Sequence, residues 1–362
     1  MKRLRRSWRW FAVLAGVVCL GALPAVVGAL PARARQVPPA DLAAAVLASA
    51  HPFSGYVETS GRLGLPELGD IDAAASLLST QSKMRVWWRD PAAWRVDLLT
   101  NTGESDVYGD ATGTWTWDSE ARRVRRLDGE AAVRLPRATD ALPPPLAQRL
   151  LAAAEPGELQ PLGAARIAGR SVPGVRIVPA SPATTIGHID IWADPDTGVA
   201  LRVSVVGRGT DVAGFESQFL DLSMSTPSDD RVTFVRPDNT RNGRPQTDIV
   251  RQVAAQSPVP LPDEIGGLVR GTGQTGAVAT YGSGFGVVGV VGVPGFALSG
   301  VIPATIPLVD RPWGGQARIV STSLVNAMAF DVGGIAYVMA GPVTVNELDR
   351  LAGVINAQGG AA

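Results

Sequence analysis

The chain has 362 residues, 46% of them hydrophobic, and its 33 basic residues balance its 33 acidic ones. This length predicts about two domains, and so large a hydrophobic fraction argues against wholesale disorder. Five of the basic residues fall within the first nine positions, so the rest of the chain is mildly acidic, which argues against a nucleic-acid partner.

Residues 1–34 are predicted to be a signal peptide or an N-terminal membrane anchor. The basic stretch MKRLRRSWRW leads into a run without charge from Trp10 to Pro31, which is long enough to cross a bilayer. Ala32, Arg33 and Ala34 form an A-x-A pattern that a signal peptidase could cleave. Positive charge holds this end in the cytoplasm, so we expect the chain beyond about residue 35 to lie outside it. Cleavage and retention as an anchor both stay open.

Residues 38–237 are predicted to form one domain built on an antiparallel sheet. A short helix in DLAAAVLASA precedes strand-like segments such as KMRVWWRD, WRVDLLT, SDVYGD and TWTWDS, which short polar turns separate. This spacing is typical of a meander, and the 41 glycines and 28 prolines of the chain fit a turn-rich fold. The segment PLAQRLLAAAE predicts a second helix from Pro145 to Glu155, after which further strands follow.

Alternation along these strands predicts one apolar face rich in tryptophan and one charged face. In KMRVWWRD, Val86 and Trp88 share a face, and Trp87 takes the opposite one. Six residues are predicted to line the apolar face: Val86, Trp88, Trp94, Val96, Trp115 and Trp117. Two interpretations stay open, because such a face is either a core covered by the domain's own helices or a partly filled groove for an acyl chain.

A linker and a second, smaller domain are predicted to follow. Residues 238–277 are rich in polar residues, proline and glycine, which is typical of a linker. Residues 278–362 predict a small α+β domain whose last helix begins at a capping box of Thr344 and Glu347. The apolar run from Gly286 to Pro307 contains five glycines and three prolines, so we expect strands there and not a second membrane span.

No motif in the sequence indicates catalysis, a metal site or a cofactor. The two histidines, His51 and His188, form no H-E-x-x-H motif, and G-x-S-x-G is absent. Cys19 is the only cysteine, which excludes a disulfide framework and a thiolate metal site. Gly271 to Gly276 match G-x-G-x-x-G, but no helix pattern follows, so they are interpreted as linker. The carboxylates form no distinctive pair, and we predict no catalytic residue, no metal and no cofactor.

Several segments of the chain, taken in order, resemble a known group of proteins. They are LGLPELG (Leu63 to Gly69), MRVWWRDPAAWRVDLL, ESDVYGD followed by TWTWDS, AGRSVPGVRIVP, IDIWADPDTGVALRVSV, FESQF, and the C-terminal PWGGQARIVSTSLVNAMAFDVGGIAYVMAG. Their order and spacing resemble actinobacterial proteins grouped with the superfamily of LolA/LolB lipoprotein carriers and RseB/MucB sigma-factor regulators.

The resemblance implies an α+β fold, in which a curved antiparallel β half-barrel holds helices in its concave face beside a smaller C-terminal α+β domain. It implies a non-enzymatic, extracytoplasmic protein that binds lipid acyl chains or lipoproteins in an apolar groove, as a carrier or a tethered sensor. The alternative is a regulator that binds a membrane anti-sigma factor, and a transporter is a further candidate partner. A freely diffusing carrier has a cleaved signal peptide, whereas the apolar N-terminal run of this chain is long enough to remain as an anchor. This difference favours a tethered protein.

Overall fold

The structure is a computed structural model. It describes residues 32–64, 77–100, 103–111, 113–127, 134, 136–243, 257, 259–272, 274, 276–295 and 305–359. The predicted signal or anchor up to residue 31, most of LGLPELG and residues 244–256 of the predicted linker lie outside the described residues. Within the described part of the chain, no helix combines the length and the apolar character needed to span a membrane.

One large sheet of twelve strands organises residues 53–242. Its strands are β1 (Phe53–Gly61), β2 (Gln81–Asp90), β3 (Ala93–Leu99), β4 (Glu104–Asp110), β5 (Gly113–Asp118), β6 (Arg123–Leu127), β7 (Leu159–Ile167), β8 (Arg170–Ile177), β9 (Ile186–Ala193), β10 (Ala200–Gly207), β11 (Ala213–Ser223) and β12 (Arg241–Asn242). Their order is β12-β6-β5-β4-β3-β2-β1-β11-β10-β9-β8-β7. Every pair is antiparallel except β12 with β6. The sheet is curved and open, with β12 and β7 as its edges, so the predicted half-barrel is confirmed.

Four α-helices accompany the strands in the described part of the chain. They are α1 (Pro39–Ala48), α2 (Pro143–Ala153), the short α3 (Asp229–Val232) and α4 (Val345–Gly359). The second helix starts at Pro143 and not at Pro145, because a helix tolerates proline in its first turn, where the missing N–H needs no partner.

Two of the helices pack on one side of the twelve-stranded sheet, which we call the covered face. There α1 buries Leu42 and Val46, and α2 buries Leu151, in one core with the strands. Gln148 of α2 donates hydrogen bonds to the main-chain oxygens of Val46 and Ser49 at 3.1 and 2.8 Å, which couples the two helices. The helices therefore fill the concave side, as the predicted fold requires.

The covered face is apolar because alternate residues of each strand turn towards it. Met84, Val86 and Val96 of β2 and β3 and Ile191 and Val203 of β9 and β10 are all 0% exposed. The residues between them turn to the other side of the sheet, which we call the open face. Among the described residues, the main core of the twelve-stranded sheet thus lies on the covered face.

A second sheet of six strands forms the C-terminal part of the chain. Its strands are β15 (Val278–Tyr281), β16 (Val288–Pro294), β17 (Val309–Asp310), β18 (Gln316–Ser321), β19 (Asn326–Val332) and β20 (Ile335–Gly341), in the order β15-β16-β20-β19-β18-β17. The short β13 (Glu264–Ile265) and β14 (Leu268–Val269) pair separately. On the six-stranded sheet α4 packs with Leu348 and Leu351 buried. Glu347 N donates to Thr344 Oγ1 at 3.3 Å, which is one of the two bonds of the predicted capping box, and the Glu347 carboxylate accepts from Arg350.

The two sheets are joined by backbone contacts and by shared apolar packing. Thr184 forms an isolated bridge with Val343, and Thr185 Oγ1 donates to the main-chain oxygen of Leu324 at 2.5 Å. Leu324 and Phe285 belong to the core of the twelve-stranded sheet. The boundaries proposed from the sequence for the domains and the linker stay predictions.

Candidate functional site

Four aromatic side chains form a continuous row on the covered face, which we call the aromatic row: Phe219, Phe53, Trp88 and Trp94. Trp88 pairs with Trp94 across β2 and β3, and their rings stack at a centroid distance of 5.8 Å and an interplanar angle of 11°. Phe53 stacks on Trp88 at 6.1 Å and meets Phe219 edge-on at 5.6 Å. Stacked and edge-on geometries are those that aromatic rings prefer.

The aromatic row runs from the core to the surface. Phe219 and Phe53 are 1% and 3% exposed, whereas Trp88 and Trp94 are only partly buried and pack against the edge of the same core. A row of this kind offers a continuous apolar surface that starts in contact with solvent and ends in the protein interior. Of the four predicted groove residues that lie on the covered face, Trp88 and Trp94 are partly exposed, whereas Val86 and Val96 are buried.

The position of Trp94 depends on a glycine beneath it. Gly109 of β4 pairs with Trp94, and a Cβ atom at Gly109 would lie 2.1 Å from Cε2 of the indole. Only glycine allows so close an approach of a ring to the backbone. Trp94 Nε1 also donates to the main-chain oxygen of Pro91 at 3.2 Å, which fixes the polar edge of the ring.

Val86 and Val96, the two aliphatic residues of the predicted groove, face each other across β2 and β3. Both are 0% exposed and belong to the core of the covered face. They contribute packing in this conformation and do not contact solvent. The covered face therefore combines an ordinary core with an accessible aromatic edge, and binding of an acyl chain at that edge stays a prediction.

The prediction that Trp115 and Trp117 share the face of Trp88 is wrong. Trp115 pairs with Tyr108, and Tyr108 pairs in turn with Arg95, which pairs with Trp87. Paired residues of neighbouring strands point to the same side of a sheet. Trp115 and Trp117 therefore lie on the open face together with Trp87.

The error has a physical cause. Alternation assigns faces within one strand, but the relation between two strands depends on their register, and a shift by one residue exchanges the faces. Tryptophan was taken as a sign of the core, yet Trp115 finds its apolar contact on the open face. It stacks on Phe234 at 5.9 Å, and the guanidinium of Arg126 lies 5.6 Å from its ring.

A charged cluster occupies the open face beside these tryptophans. Arg95 lies between the rings of Trp87 and Tyr108, at 5.2 and 4.9 Å from their centroids. Its guanidinium donates to Asp97 at 2.5 Å and to Asp106 at 3.0 Å. These two carboxylates pair directly across β3 and β4 and are only 1% and 2% exposed. The sequence-based statement that no distinctive carboxylate pair exists is therefore wrong.

Burial controls the ionisation of this pair. It raises the pKa of Asp106 to about 7, and the nearby charge of Asp97 raises it as well, while Arg95 opposes the shift. Burial also raises the pKa of Asp97, against the lowering effect of its hydrogen bond from Arg95. Burial favours the neutral form of an acid, and two adjacent carboxylates resist carrying two charges. We infer that the pair holds a proton at mildly acidic pH.

Asp97, Glu104 and Asp106 also bring carboxylate oxygens within 4.8 Å of one another, a spacing that could hold a metal ion. Arg95 already provides positive charge to two of them, so a cation would compete with a guanidinium for the same oxygens. Because Arg95 competes for these oxygens, we assign the cluster a structural role in the open face. Polar residues alternate with Val96 and Val107 in the sequence, and this pattern indicates a polar face. It does not show which polar residues of the two strands lie next to each other.

Comparison with known proteins gives structural likeness at low sequence identity. No protein-family model and no curated protein matches the chain. A crystal structure of MucB is 15% identical over 87% of this chain and 96% of that chain, with a TM-score of 0.46. The complex of MucA and MucB from Pseudomonas aeruginosa is 16% identical over 86% and 95%, also at 0.46. A LolA superfamily protein from Nitrosomonas europaea is 9% identical over 55% of this chain and 99% of that chain, at 0.24.

These solved structures come from the groups that the sequence resembles.

Proposed function

We propose that this protein is a non-enzymatic, extracytoplasmic binding protein that holds the acyl chain of a lipid or lipoprotein on its covered face. The observation that carries the proposal is the aromatic row, because Trp88 and Trp94 extend the buried Phe53 and Phe219 to the surface. Placement outside the cytoplasm follows from the predicted N-terminal segment. A retained anchor would make the protein a tethered carrier or sensor.

Burial of apolar surface supplies the binding energy. An acyl chain that buries about 300 Å² gains roughly 7 kcal/mol before the cost of ordering the chain. Gln148 couples α2 to the end of α1, so the two helices resist separation. We therefore expect the acyl chain to enter beside the helices, at Trp94 and Trp88, and to extend along the aromatic row towards the core.

The buried carboxylate pair does not suggest catalysis. An acid with a raised pKa is a candidate general acid or base when a substrate can reach it. Asp97 and Asp106 are 1% and 2% exposed and are held by Arg95, so no substrate atom can approach them in this conformation. Their geometry supports a structural role, and it favours a binding protein over an enzyme.

Mass spectrometry of lipids that co-purify with the full-length protein tests the proposal. We expect lipids with acyl chains to accompany the wild-type protein and the Trp117→Ala variant, whose change lies on the open face. The Trp94→Ala variant should retain less lipid, because it removes the outer ring of the aromatic row. A wild-type protein that carries no acyl lipid, or a loss that is equal in both variants, would refute the proposal.

A regulator that binds a membrane anti-sigma factor is the second candidate. The open face favours it, because Trp87, Arg95 and Trp115 concentrate there the residue types that dominate protein interfaces. MucB, one of the similar structures, was solved in complex with MucA. Trp115→Ala should then reduce co-purification of a partner from the membranes of the protein's own cells, while Trp94→Ala should not. The reverse pattern would exclude this candidate.

A further inference from the structure

A concave polar pocket lies on the open face, at the end of the sheet away from Arg95. It encloses about 620 Å³, which lies within the range of small-molecule sites. Its floor is a straight row across five neighbouring strands, in which Arg176, Asp190, Ser204, Glu216 and Ser60 are paired in register. Regular strands hold every one of these positions, so the pocket has a fixed floor.

The charges that line the pocket are balanced and mostly paired. Besides His188, three arginines and three acids line it: Arg62, Arg176, Arg202, Asp190, Asp211 and Glu216. Arg176 donates two hydrogen bonds to Asp190, at 2.6 and 2.7 Å. Arg202 donates to Glu216 at 2.6 Å. An anion would meet three carboxylates here and a cation would meet three guanidinium groups, so the pocket favours a ligand without charge.

The same groups retain hydrogen-bonding capacity that a ligand can use. Arg62 is exposed, and in the described part of the chain no hydrogen bond or ion pair engages its guanidinium. A carboxylate offers about four acceptor positions, of which one or two are occupied here. A hydroxyl group both donates and accepts, so it suits neighbouring arginine and carboxylate groups at once.

An apolar wall completes the pocket. Trp192, Val206 and Val212 line it, and Trp192 Nε1 donates to the main-chain oxygen of Gly163 at 2.9 Å, which fixes the indole. The guanidinium of Arg202 lies 5.0 Å from the same ring. A sugar ring presents C–H groups on its faces and hydroxyl groups at its edges, so it matches a wall of this kind above a floor of paired charges.

We propose that this pocket binds a neutral carbohydrate of disaccharide size. The pocket opens on the face opposite the aromatic row, so carbohydrate binding goes beyond the acyl-chain function and does not depend on it. A protein that binds sugar but no acyl lipid, or the reverse, would separate the two proposals.

Isothermal titration calorimetry on the full-length protein tests the inference with maltose, lactose and sucrose, and with inorganic phosphate as the charged probe. At least one disaccharide should bind saturably to the wild-type protein. Arg62→Ala should weaken that binding about tenfold, the effect of one hydrogen bond from a charged donor. Arg241→Ala removes another exposed arginine outside the pocket and should leave the affinity unchanged.

Glu216→Gln tests the charge argument itself, because it keeps the size of the side chain and leaves the pocket with one excess positive charge. This variant should gain phosphate binding that the wild-type protein lacks. Melting temperatures should show that each variant is folded. If Glu216→Gln does not fold, Arg62→Ala alone tests the inference. The inference is overturned if no disaccharide binds, if Arg62→Ala leaves the affinity intact, or if phosphate binds the wild-type pocket more tightly than any sugar.

Discussion

The two faces of the twelve-stranded sheet both contain tryptophan, and they use it in different ways. On the covered face Trp88 and Trp94 extend a row of phenylalanines and join the helix-packed core. On the open face Trp87 and Trp115 lie against the guanidinium groups of Arg95 and Arg126. The same residue type therefore closes an apolar core on one side and builds a charged, aromatic surface on the other.

This difference shows that the neighbours of an indole, and not its hydrophobicity, determine its role. Tryptophan combines a large apolar ring with a face that attracts cations, so either environment satisfies it. A ligand with an acyl chain suits the first environment. A polar partner suits the second. The experiments below test whether substitutions on the two faces change the free energy of unfolding and ligand binding as differently as the contacts of the two faces indicate.

The largest effect is expected from Met84→Ala on the covered face. Met84 is 0% exposed, and loss of a buried side chain of this size costs about 3 kcal/mol of unfolding free energy. Its neighbour Lys83 is exposed on the opposite face and is the matched control, for which Lys83→Ala should change the free energy by less than about 0.5 kcal/mol. Urea unfolding measures both. Equal losses would mean that Met84 does not pack in the core of this face.

The carboxylate pair predicts a dependence of stability on pH. The pKa of Asp106 is raised to about 7, so the folded protein keeps a proton that the unfolded chain has already released. The resulting stabilisation is complete at pH values below the ordinary pKa of aspartate and is lost as the pH rises through 7. Allowing for solvent screening, we expect the loss to be about 2 kcal/mol.

Asp106→Asn should flatten this dependence, because an amide cannot ionise. Asp221→Asn, which changes an exposed carboxylate, should leave the dependence as it is. Urea unfolding of the three proteins at pH 5 and pH 8 provides the comparison. A wild-type protein whose stability rises between these two pH values to the same extent as that of Asp106→Asn would contradict the assigned ionisation.

Gly109→Ala is expected to have a smaller effect, confined to the aromatic row. The added Cβ would collide with the indole of Trp94, and such overpacking costs about 1 to 2 kcal/mol. Gly163→Ala is the control, since a Cβ there meets no atom within 4 Å. Thermal unfolding and the tryptophan emission spectrum should both change for Gly109→Ala alone. Unchanged emission would show that Trp94 does not rest on Gly109.

The sequence predicted which residues of one strand share a face of the sheet. It did not predict which residues of neighbouring strands share that face. Alternation in β2 correctly placed Met84 and Val86 opposite Trp87, because the side chains of a strand alternate strictly. It could not place Trp115, whose face depends on its register with Tyr108. Long-range pairing sets that register.

The polar features of the open face were missed for the same reason. Asp97 and Asp106 are nine positions apart, and Arg176 and Asp190 are fourteen apart, so only the folded sheet brings each pair together. Composition and periodicity report how many charges a strand carries and on which alternate positions. They do not report which charges meet or which remain without a partner.

Binding of a fluorescent fatty acid by the delipidated, full-length protein tests the central claim most directly. The wild-type protein should bind the probe, and Trp94→Ala should weaken the affinity about tenfold, as expected if the chain loses about 60 Å² of apolar contact. Trp117→Ala, an equal truncation on the open face, should leave the affinity within about twofold of the wild-type value. A wild-type protein that binds no probe, or two variants that weaken binding equally, would contradict the assignment of the covered face as the acyl-binding site.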